Sequence, residues 1–378
     1  MHESMYNEEL RAFRDTVKKF MDKEVKPFHA QWEKDGVVSR DVWEKAGAAG
    51  LLCIPQSPDY GGSGLPFRYA AVVQEEISRA HASGVAFSLH SDIVAPYIEN
   101  FGGDRMKQQY LPGMASGKLI GAIAMSEPGT GSDLQAVQTK AVLDGDEWII
   151  NGSKTFISNG QLCDLTIVVA RTEEAEGWQS QSLIVVPSTA KGFVRGKRLE
   201  KIGMHAQDTS EMHFEDCRVP KDALIGERGQ GFVYLMKQLA QERLIIAIAS
   251  VAGAAECLSG TIEYVKERKA FGKPISSFQN TKFRLAEMAT EIKLGETFVD
   301  DCIRRLEQDE NLTVEGSMAK YWCSEMLGRV VDGCLQLFGG YGYMMEYPIA
   351  RAYLDARVQR IYGGTTEIMK EIIARSLV

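Results

Sequence analysis

The fold is decided by residues 241–255, which read Gln241-Glu242-Arg243-Leu244-Ile245-Ile246-Ala247-Ile248-Ala249-Ser250-Val251-Ala252-Gly253-Ala254-Ala255. If this stretch is a helix, both of its faces are apolar, which is typical of a helix buried in a core. Glu242 lies among these apolar residues, and a buried carboxylate is costly unless it is paired, neutral or used for chemistry. The structural alternative is an ion pair with the neighbouring Arg243, or a surface position at a bend in the helix.

Composition indicates a globular protein with more than one core. The chain has 378 residues, which predicts two or three domains. Hydrophobic content of 44% and charged content of 25% are ordinary, and the net charge of −8 argues against nucleic-acid binding. The longest nearly apolar run, 244–258, is interrupted by Glu256 and is shorter than the ~20 residues of a membrane span, so we expect none.

Cellular context is read from the cysteines and the first residues. Seven cysteines are scattered along the chain without a CxxC pair, which fits reduced thiols better than disulfides or a zinc site. The first residues are polar and acidic, unlike a targeting peptide. We therefore expect a cytoplasmic protein of the bacterial type.

The chain divides into three successive regions that differ in predicted secondary structure. Residues 1–120 carry helical spacing, as in 8–20, 41–50, 68–79 and 92–101. Residues 121–228 contain short β-like runs between turn residues, which suggest a β barrel or sandwich. Residues 229–378 hold four long helical stretches, 231–268, 278–308, 313–338 and 346–375, with the first and last broken by turns. Such stretches predict a four-helix bundle.

Several common catalytic classes lack their motifs. The chain has no GxxxxGK[ST], GxGxxG after a strand, GxSxG or HExxH, and its six histidines show no metal spacing. Three other clusters remain: a glycine-rich turn at 125–133, an aromatic residue beside a hydroxyl at 154–160, and a basic helix end at 268–273. Each alone is a weak signal, because turns and caps of this kind are common.

Six motifs in order make the chain resemble the acyl-CoA dehydrogenase family, over residues 8–378. They are AMSEPGTGSD at 124–133, INGSKTFISN at 150–159, GMHAQDTS at 203–210, ERKAFGK at 267–273, QLFGGYGY at 336–343 and IYGGTTEI at 361–368. The long-chain type is the most similar. The resemblance implies an N-terminal helical domain at 1–120, a middle β barrel at 121–228 and a C-terminal four-helix bundle at 229–378, hence a mainly α protein with a central β domain.

The resemblance also implies FAD, held between barrel and bundle without a Rossmann domain, and no metal. The matching positions would contact the cofactor in three groups. The turn and ring contacts are Ile123, Ala124, Met125, Ser126, Gly131, Ser132, Phe156, Ile157 and Ser158. Contacts to the cofactor of a neighbouring subunit, in a homotetramer, are Arg268, Phe271, Gln279, Gln336, Gly339 and Gly340. The contacts near the adenosine phosphates are Gly364, Thr365 and Glu367.

The resemblance gives Glu242 a role. Most members carry the catalytic glutamate where this chain has Gly363, but the long-chain and isovaleryl types carry it on the first bundle helix, as in Gln241-Glu242-Arg243. Glu242 is therefore expected to take the α proton of an acyl-CoA, with the Gly363 N–H at the thioester oxygen. Ser132, Arg243 and Tyr362 would also contact substrate, Arg243 by steering the CoA phosphate or by orienting Glu242.

The expected reaction is α,β-dehydrogenation to a trans-2-enoyl-CoA in fatty-acid β-oxidation, with electrons passed to an electron-transfer flavoprotein. Several alternatives stay open. They are an isovaleryl-type or other branched-chain dehydrogenase, an acyl-CoA oxidase, and a flavin-binding interaction protein without turnover. Acyl chain length and the choice between CoA and carrier-protein thioesters are not determined by the motifs.

Overall fold

The computed structural model describes residues 1–173 and 177–378, and its elements follow a helical, β, helical order. Helices extend to Ala115, strands lie between Gly121 and Ile225, and long helices follow from Gly231. The predicted class, a mainly helical protein with a central β domain, is confirmed.

Six α-helices form the N-terminal part of the described chain. They are α1 Glu8–Phe20, α2 Lys26–Asp35, α3 Asp41–Ala48, α4 Phe67–Arg79, α5 Ala95–Phe101 and α6 Asp104–Ala115. The first helix begins after Asn7, whose side chain accepts a hydrogen bond from the Leu10 N–H and so satisfies a first-turn amide. Its buried face carries Leu10, Val17 and Phe20, at the helical spacing seen in the sequence.

The helix predicted over 92–101 is divided in the structure. A π-helical turn, Leu89–Val94, comes first, and α5 continues from Ala95. A π turn changes the rotation of the residues that follow it, and such turns are frequent at functional sites. Here it precedes Tyr97, which is completely buried.

The middle region forms one eight-stranded sheet within the described residues. Its strands are β1 Gly121–Ala124, β2 Lys140–Asp144, β3 Glu147–Ser158, β4 Leu165–Arg171, β5 Gln181–Pro187, β6 Phe193–Arg198, β7 Thr209–Pro220 and β8 Leu224–Ile225. The order is β6-β7-β3-β2-β4-β5-β8, and β1 pairs in parallel with β4. Apolar side chains from six of these strands meet in one core, so the sheet is curled.

The curled sheet is not closed by hydrogen bonds into the barrel that the sequence predicts. Over residues 1–173 and 177–378, the two end strands, β6 and β8, each pair with a single neighbour. The physical reason is visible at one end, where β8 is only two residues long and offers little backbone for a second partner.

The bundle consists of α7 Gly231–Glu267, α8 Gln279–Leu306, α9 Thr313–Phe338 and the pair α10 Pro348–Ala356 and α11 Thr366–Arg375. A short hairpin of β9 Lys269–Ala270 and β10 Lys273–Pro274 follows α7. The predicted break in the last stretch is present, but the predicted break in the first is wrong, because α7 is continuous over 37 residues. Its backbone stays helical through Gly253 and Gly260.

The length of α7 bears on the expectation that the chain has no membrane span. Among the described residues, α7 is long and apolar enough to cross a membrane by length and composition. However, 67% of its most apolar window is buried inside the protein, as in the core helix of a soluble fold. One continuous core joins residues of α1, α4, α7, α8 and α9, so α7 is shared by the N-terminal helices and the bundle.

Candidate active site

Glu242 lies in the first half of α7, with only 5% of its surface exposed. Its Oε1 accepts a hydrogen bond of 2.6 Å from the hydroxyl of Tyr97 on α5. The carboxyl group therefore lies where the N-terminal helices meet the bundle. The surface position that the sequence left open is excluded.

The protonation of Glu242 is set by this environment. Burial raises the pKa of Glu242 to about 7, because a carboxylate loses its hydration there, while the Tyr97 hydrogen bond and the charge of Arg243 act to lower it. A group with a pKa near neutrality can both accept and release protons under physiological conditions. That property is required of a general base acting on a weak acid.

Arg243 follows Glu242 in sequence but has a different partner. Its Nη1 donates a hydrogen bond of 3.2 Å to Ser317 Oγ on α9, and only 4% of its surface is exposed. Successive residues of a helix do not face each other. The ion pair with Glu242 is thus not formed in the described part of the chain, where Tyr97 and Ser317 are the hydrogen-bond partners.

Gly363 faces α7 close to Glu242. Its φ of 64° lies in the left-handed region, and a Cβ at this position would lie 2.4 Å from Cδ1 of Ile246. Ile246 is four residues after Glu242, one turn along the same face of the helix. A side chain at position 363 would therefore project onto the helix face that carries Glu242.

The turn that contains Gly363 is anchored to α9 at two points. Lys320, a fully buried residue, donates from Nζ to the carbonyl oxygen of Gly364. Glu325 accepts a hydrogen bond of 2.9 Å from Thr366 Oγ1. These contacts hold the turn against the bundle and so determine where the Gly363 N–H lies.

Beyond the turn, the predicted phosphate contacts lie at the start of α11. The hydroxyl of Thr365 accepts a hydrogen bond from the Ile368 N–H and caps the helix. Glu367 is exposed in the first turn, where backbone N–H groups lower its pKa. Since a carboxylate repels phosphate, the amides of this helix end are better suited to an anion than the Glu367 side chain.

The glycine-rich turn 125–133 is fastened to β3 by a buried ion pair. Lys154 Nζ lies 2.9 Å from Glu127 Oε1 and donates to the Met125 carbonyl at 3.0 Å. Glu127 also accepts hydrogen bonds from two backbone amides, those of Gln138 and Thr139. The turn is therefore shaped by the protein before any ligand binds.

The predicted contacts in and beside this turn differ in exposure. Ala124 is buried, so only its backbone is available, whereas Gly131 and Ser132 are exposed and the others are partly buried, namely Ile123, Met125 and Ser126. A Cβ on Gly129 or Gly131 would meet nothing within 4 Å. The backbone here is open to close approach by a ligand.

Phe156 forms a flat apolar surface next to the turn. A bulge between Lys154 and Ile157 displaces it from the strand pairing, and its φ is 61°. Its side chain is 69% exposed, whereas Ile157 is buried and Ser158 is partly buried. The neighbouring Thr155 N–H donates to the Ser126 carbonyl, so the aromatic residue and the glycine-rich turn form one surface.

The remaining predicted cofactor contacts lie elsewhere, at the far end of the bundle. All six are exposed: Arg268, Phe271, Gln279, Gln336, Gly339 and Gly340. The Arg268 guanidinium lies 5.6 Å from the centre of the Tyr341 ring, which places the ends of α7 and α9 together. At 1.5 Å per residue, Arg268 is roughly 39 Å along the helix from Glu242. Within one chain, the six residues at this end of the bundle therefore lie far from Glu242.

The structure thus brings Glu242, Arg243 and Gly363 to one place, with Tyr362, 36% exposed, beside them. Three neighbours were not found from the sequence: Tyr97, Ser317 and Lys320. Tyr97 follows the apolar run that precedes α5, and a hydroxyl buried there needs a partner. The sequence could therefore have indicated that Tyr97 has a hydrogen-bond partner, but not which residue that partner is.

Family profiles match nearly the whole chain in order. Residues 7–118 match the profile described as acyl-CoA dehydrogenase, N-terminal domain. Residues 122–217 match the middle domain, and residues 229–378 match the C-terminal domain of the same family.

Curated relatives agree with the profiles. The chain is 52% identical over 376 residues to the mitochondrial long-chain specific acyl-CoA dehydrogenase of Sus scrofa, covering 99% of this chain and 87% of the relative. It is 36% identical over 371 residues to the mitochondrial isobutyryl-CoA dehydrogenase of Dictyostelium discoideum, covering 98% and 89%.

Solved structures share the fold. An acyl-CoA dehydrogenase from Geobacillus kaustophilus superposes with a TM-score of 0.97 at 49% identity, covering 98% of each chain. A structure described as the electron transferring flavoprotein of Acidaminococcus fermentans gives 0.95 at 34% identity, covering 99% of this chain and 98% of the other. An acyl-CoA dehydrogenase complexed with FAD, from Bacillus anthracis, gives 0.95 at 28% identity, covering 100% and 68%.

The residues of this chain fit FAD, the cofactor of the family. The exposed Phe156 offers a face for a flat ring, the open glycines allow backbone approach to phosphates, and the amides of α11 suit an anion. Together with profiles that span the chain and a relative at 52% identity, these features show that the chain belongs to the acyl-CoA dehydrogenase family.

Proposed function

We propose that this enzyme dehydrogenates a long-chain acyl-CoA to the trans-2-enoyl-CoA in fatty-acid β-oxidation, with Glu242 as the base. The observation that carries the proposal is the buried Glu242 carboxyl group, whose pKa is raised to about 7 and whose helix face is approached by Gly363. Position 363 itself is glycine, so the last motif supplies no carboxylate there.

The chain's own residues would divide the work as follows. Glu242 accepts the α proton of the thioester from its place on α7. The Gly363 N–H, in a turn held by Lys320, donates to the thioester oxygen as negative charge develops there. FAD, when bound, supplies the hydride acceptor for the β carbon. The apolar surroundings of Glu242 exclude water and so keep the base poorly solvated.

Of the two roles expected for Arg243, its burial favours the local one. A side chain with 4% exposure is poorly placed to meet a solvated CoA phosphate. Its positive charge acts to lower the pKa of Glu242, since it favours the ionised carboxylate. We therefore propose that Arg243 supports the base, and that other residues bind the CoA phosphate.

The proposal of a long-chain substrate is supported by the similarity to the Sus scrofa relative, whose name specifies long chains. A branched-chain substrate is the second candidate, because the isovaleryl type shares a glutamate on the first bundle helix. An electron-transfer flavoprotein as electron acceptor is supported by the similar structure from Acidaminococcus fermentans that is described by that name.

Assembly of several copies is supported by the exposed end of the bundle. Phe271, after α7, is 95% exposed, and Tyr343, in the turn that follows α9, is 81% exposed. A contiguous exposed apolar patch marks an interaction site, whereas single exposed apolar residues are ordinary. We propose a homotetramer in which this end of one subunit reaches the cofactor of another.

Location in a reducing compartment, the cytoplasm, is supported by the cysteines. All seven are buried and unpaired. Thiols in this state suit a cytosolic environment.

Anaerobic bleaching of bound FAD tests the function. The purified holoenzyme is mixed with octanoyl-, palmitoyl-, isobutyryl- and isovaleryl-CoA, and flavin absorbance is followed. We expect fastest bleaching by palmitoyl-CoA, and almost none in Glu242→Gln. The matched control is Glu256→Gln on the same helix, which should bleach like the wild type.

Each other outcome has a definite meaning. Preference for isovaleryl- or isobutyryl-CoA supports the branched-chain alternative. Absence of bleaching by the whole panel supports a flavin-binding protein without turnover, and peroxide formed without an added acceptor supports an oxidase. Full activity of Glu242→Gln would remove Glu242 from the mechanism.

A further inference from the structure

The contact between Tyr97 and Glu242 joins two buried groups from different parts of the chain. The tyrosine hydroxyl donates to Glu242 Oε1 at 2.6 Å, and the two side chains are 0% and 5% exposed. Hydrogen bonds to an ionised acceptor are short and strong. In this setting, water cannot readily replace the tyrosine as a partner.

The two helices are tethered to each other around this pair. Gln241 Nε2 donates a hydrogen bond of 2.7 Å to the backbone oxygen of Asp92, within the π-helical turn before α5. On the other side, Phe101 of α5 stacks on Tyr234 of α7, with ring centroids 4.3 Å apart. The tyrosine is therefore held at a fixed distance from the carboxylate.

A glutamate carboxylate is fixed in a single orientation only when a hydrogen-bond partner holds it. The last torsion of a glutamate is broad and has little intrinsic preference. Within the described residues, Oε1 is held by Tyr97, and no hydrogen bond is made by Oε2. We propose that Tyr97 is a positioning residue that holds Oε1 of Glu242 and leaves Oε2 to receive the α proton. This inference rests on the proposed role of Glu242 as base.

Tyr97 keeps its proton while it does this. Burial, followed by the neighbouring charge of Glu242, raises the pKa of Tyr97 well above its ordinary value. The hydroxyl is therefore a donor throughout the working pH range and does not relay protons. As a donor it favours the ionised form of Glu242 and lowers the pKa that burial has raised.

Tyr97→Phe tests this role, because it removes the hydroxyl and keeps the ring. We expect the acidic limb of kcat/KM to move to higher pH by about one unit, since a favourable bond to the carboxylate is lost. We also expect kcat on the plateau to fall about tenfold, with KM within about twofold. Tyr234→Phe, which removes a hydroxyl from the same aromatic group without touching Glu242, is the control and should move neither.

A second variant acts in the opposite direction and leaves the packing intact. 3-Fluorotyrosine at position 97 has a more acidic hydroxyl, which donates a stronger hydrogen bond. The acidic limb should therefore move to lower pH than in the wild type. If the acidic limb of kcat/KM lies at the same pH in the wild type, in Tyr97→Phe and in the 3-fluorotyrosine protein, Tyr97 only fills space.

Infrared titration gives a readout that does not depend on turnover. The carboxylic acid band that is lost in Glu242→Gln reports the protonation of Glu242 in the purified protein. Its midpoint should rise in Tyr97→Phe and fall with 3-fluorotyrosine. An unchanged midpoint overturns the role of Tyr97, whereas a shifted midpoint in a protein that bleaches with no acyl-CoA supports the contact and refutes the proposed function.

Discussion

The two ends of α7 differ in the environment of their polar groups. Around Glu242 the helix is buried, and its polar side chains find partners on α5 and α9. At the Arg268 end the helix emerges into solvent beside exposed aromatic residues and glycines with open space around them. Polar groups at the buried end bond to other parts of the same chain, whereas the exposed end leaves aromatic surface uncovered.

Replacing the carboxylate at the buried end should have the largest effect. Glu242→Gln is expected to lower kcat by roughly a thousandfold or more, since general base catalysis contributes about 10²–10⁴-fold. Steady-state dye reduction measures this. Arg268→Gln at the exposed end should leave the chemical step within about twofold once FAD is saturating. Similar losses in both variants would erase the contrast between the ends.

Glu242→Gln should also make the protein more stable than the wild type at high pH. The pKa of Glu242 is about 7 in the folded protein against an ordinary 4.5, so between these values the folded state holds a proton that the unfolded chain has released. The free energy of unfolding therefore falls as pH rises through this window, by about 3 kcal/mol in total. Glu242→Gln removes this loss.

Urea unfolding of the flavin-free protein between about pH 4 and pH 8 checks the sign. Wild type and Glu242→Gln should be equally stable at the acidic limit and should diverge as pH rises, with the variant the more stable. Parallel curves would mean that the carboxyl group is better solvated than its burial indicates.

Glycines at the two ends should respond differently to alanine. Gly363→Ala is expected to cost about 2–3 kcal/mol, because a left-handed φ is strained by a side chain and the added Cβ overlaps Ile246. Gly340→Ala, where a Cβ meets nothing within 4 Å, should change stability by less than about 0.5 kcal/mol. Chemical denaturation measures both, and equal costs would contradict the proposed contact between the last motif and α7.

Truncation of the exposed aromatic should have the smallest effect on the protomer. Phe271→Ala removes a ring that is 95% exposed, so protomer stability should change by less than about 0.5 kcal/mol. The measurable loss should appear in assembly, as a lower mass by light scattering and weaker FAD retention. An unchanged mass would place this residue on free surface.

Helical spacing predicted much of the fold. The limits of α8 and α9 lie within about two residues of the predicted stretches, because a long amphipathic pattern is a strong local signal. The continuity of α7 and the open edges of the sheet were not predicted. Both depend on what packs against the backbone, which adjacent residues do not encode.

The candidate site divides in the same way. Glu242 is conspicuous in the sequence, since a carboxylate within an apolar helix has few explanations. Tyr97 is 145 residues away in the chain, and the sequence offers no means of choosing it as the partner. The close approach of Gly363 to Ile246 likewise brings the turn before α11 against α7 and becomes visible only in three dimensions.

By itself, the sequence determined the family, the order of helical and β regions and the presence of a lone carboxylate on an apolar helix. Only the tertiary structure decided that this carboxylate is bound by a tyrosine, is not paired with Arg243, and has a pKa near neutrality. The reason is physical: local patterns act over a few residues, whereas desolvation and hydrogen bonding depend on groups brought together from distant parts of the chain.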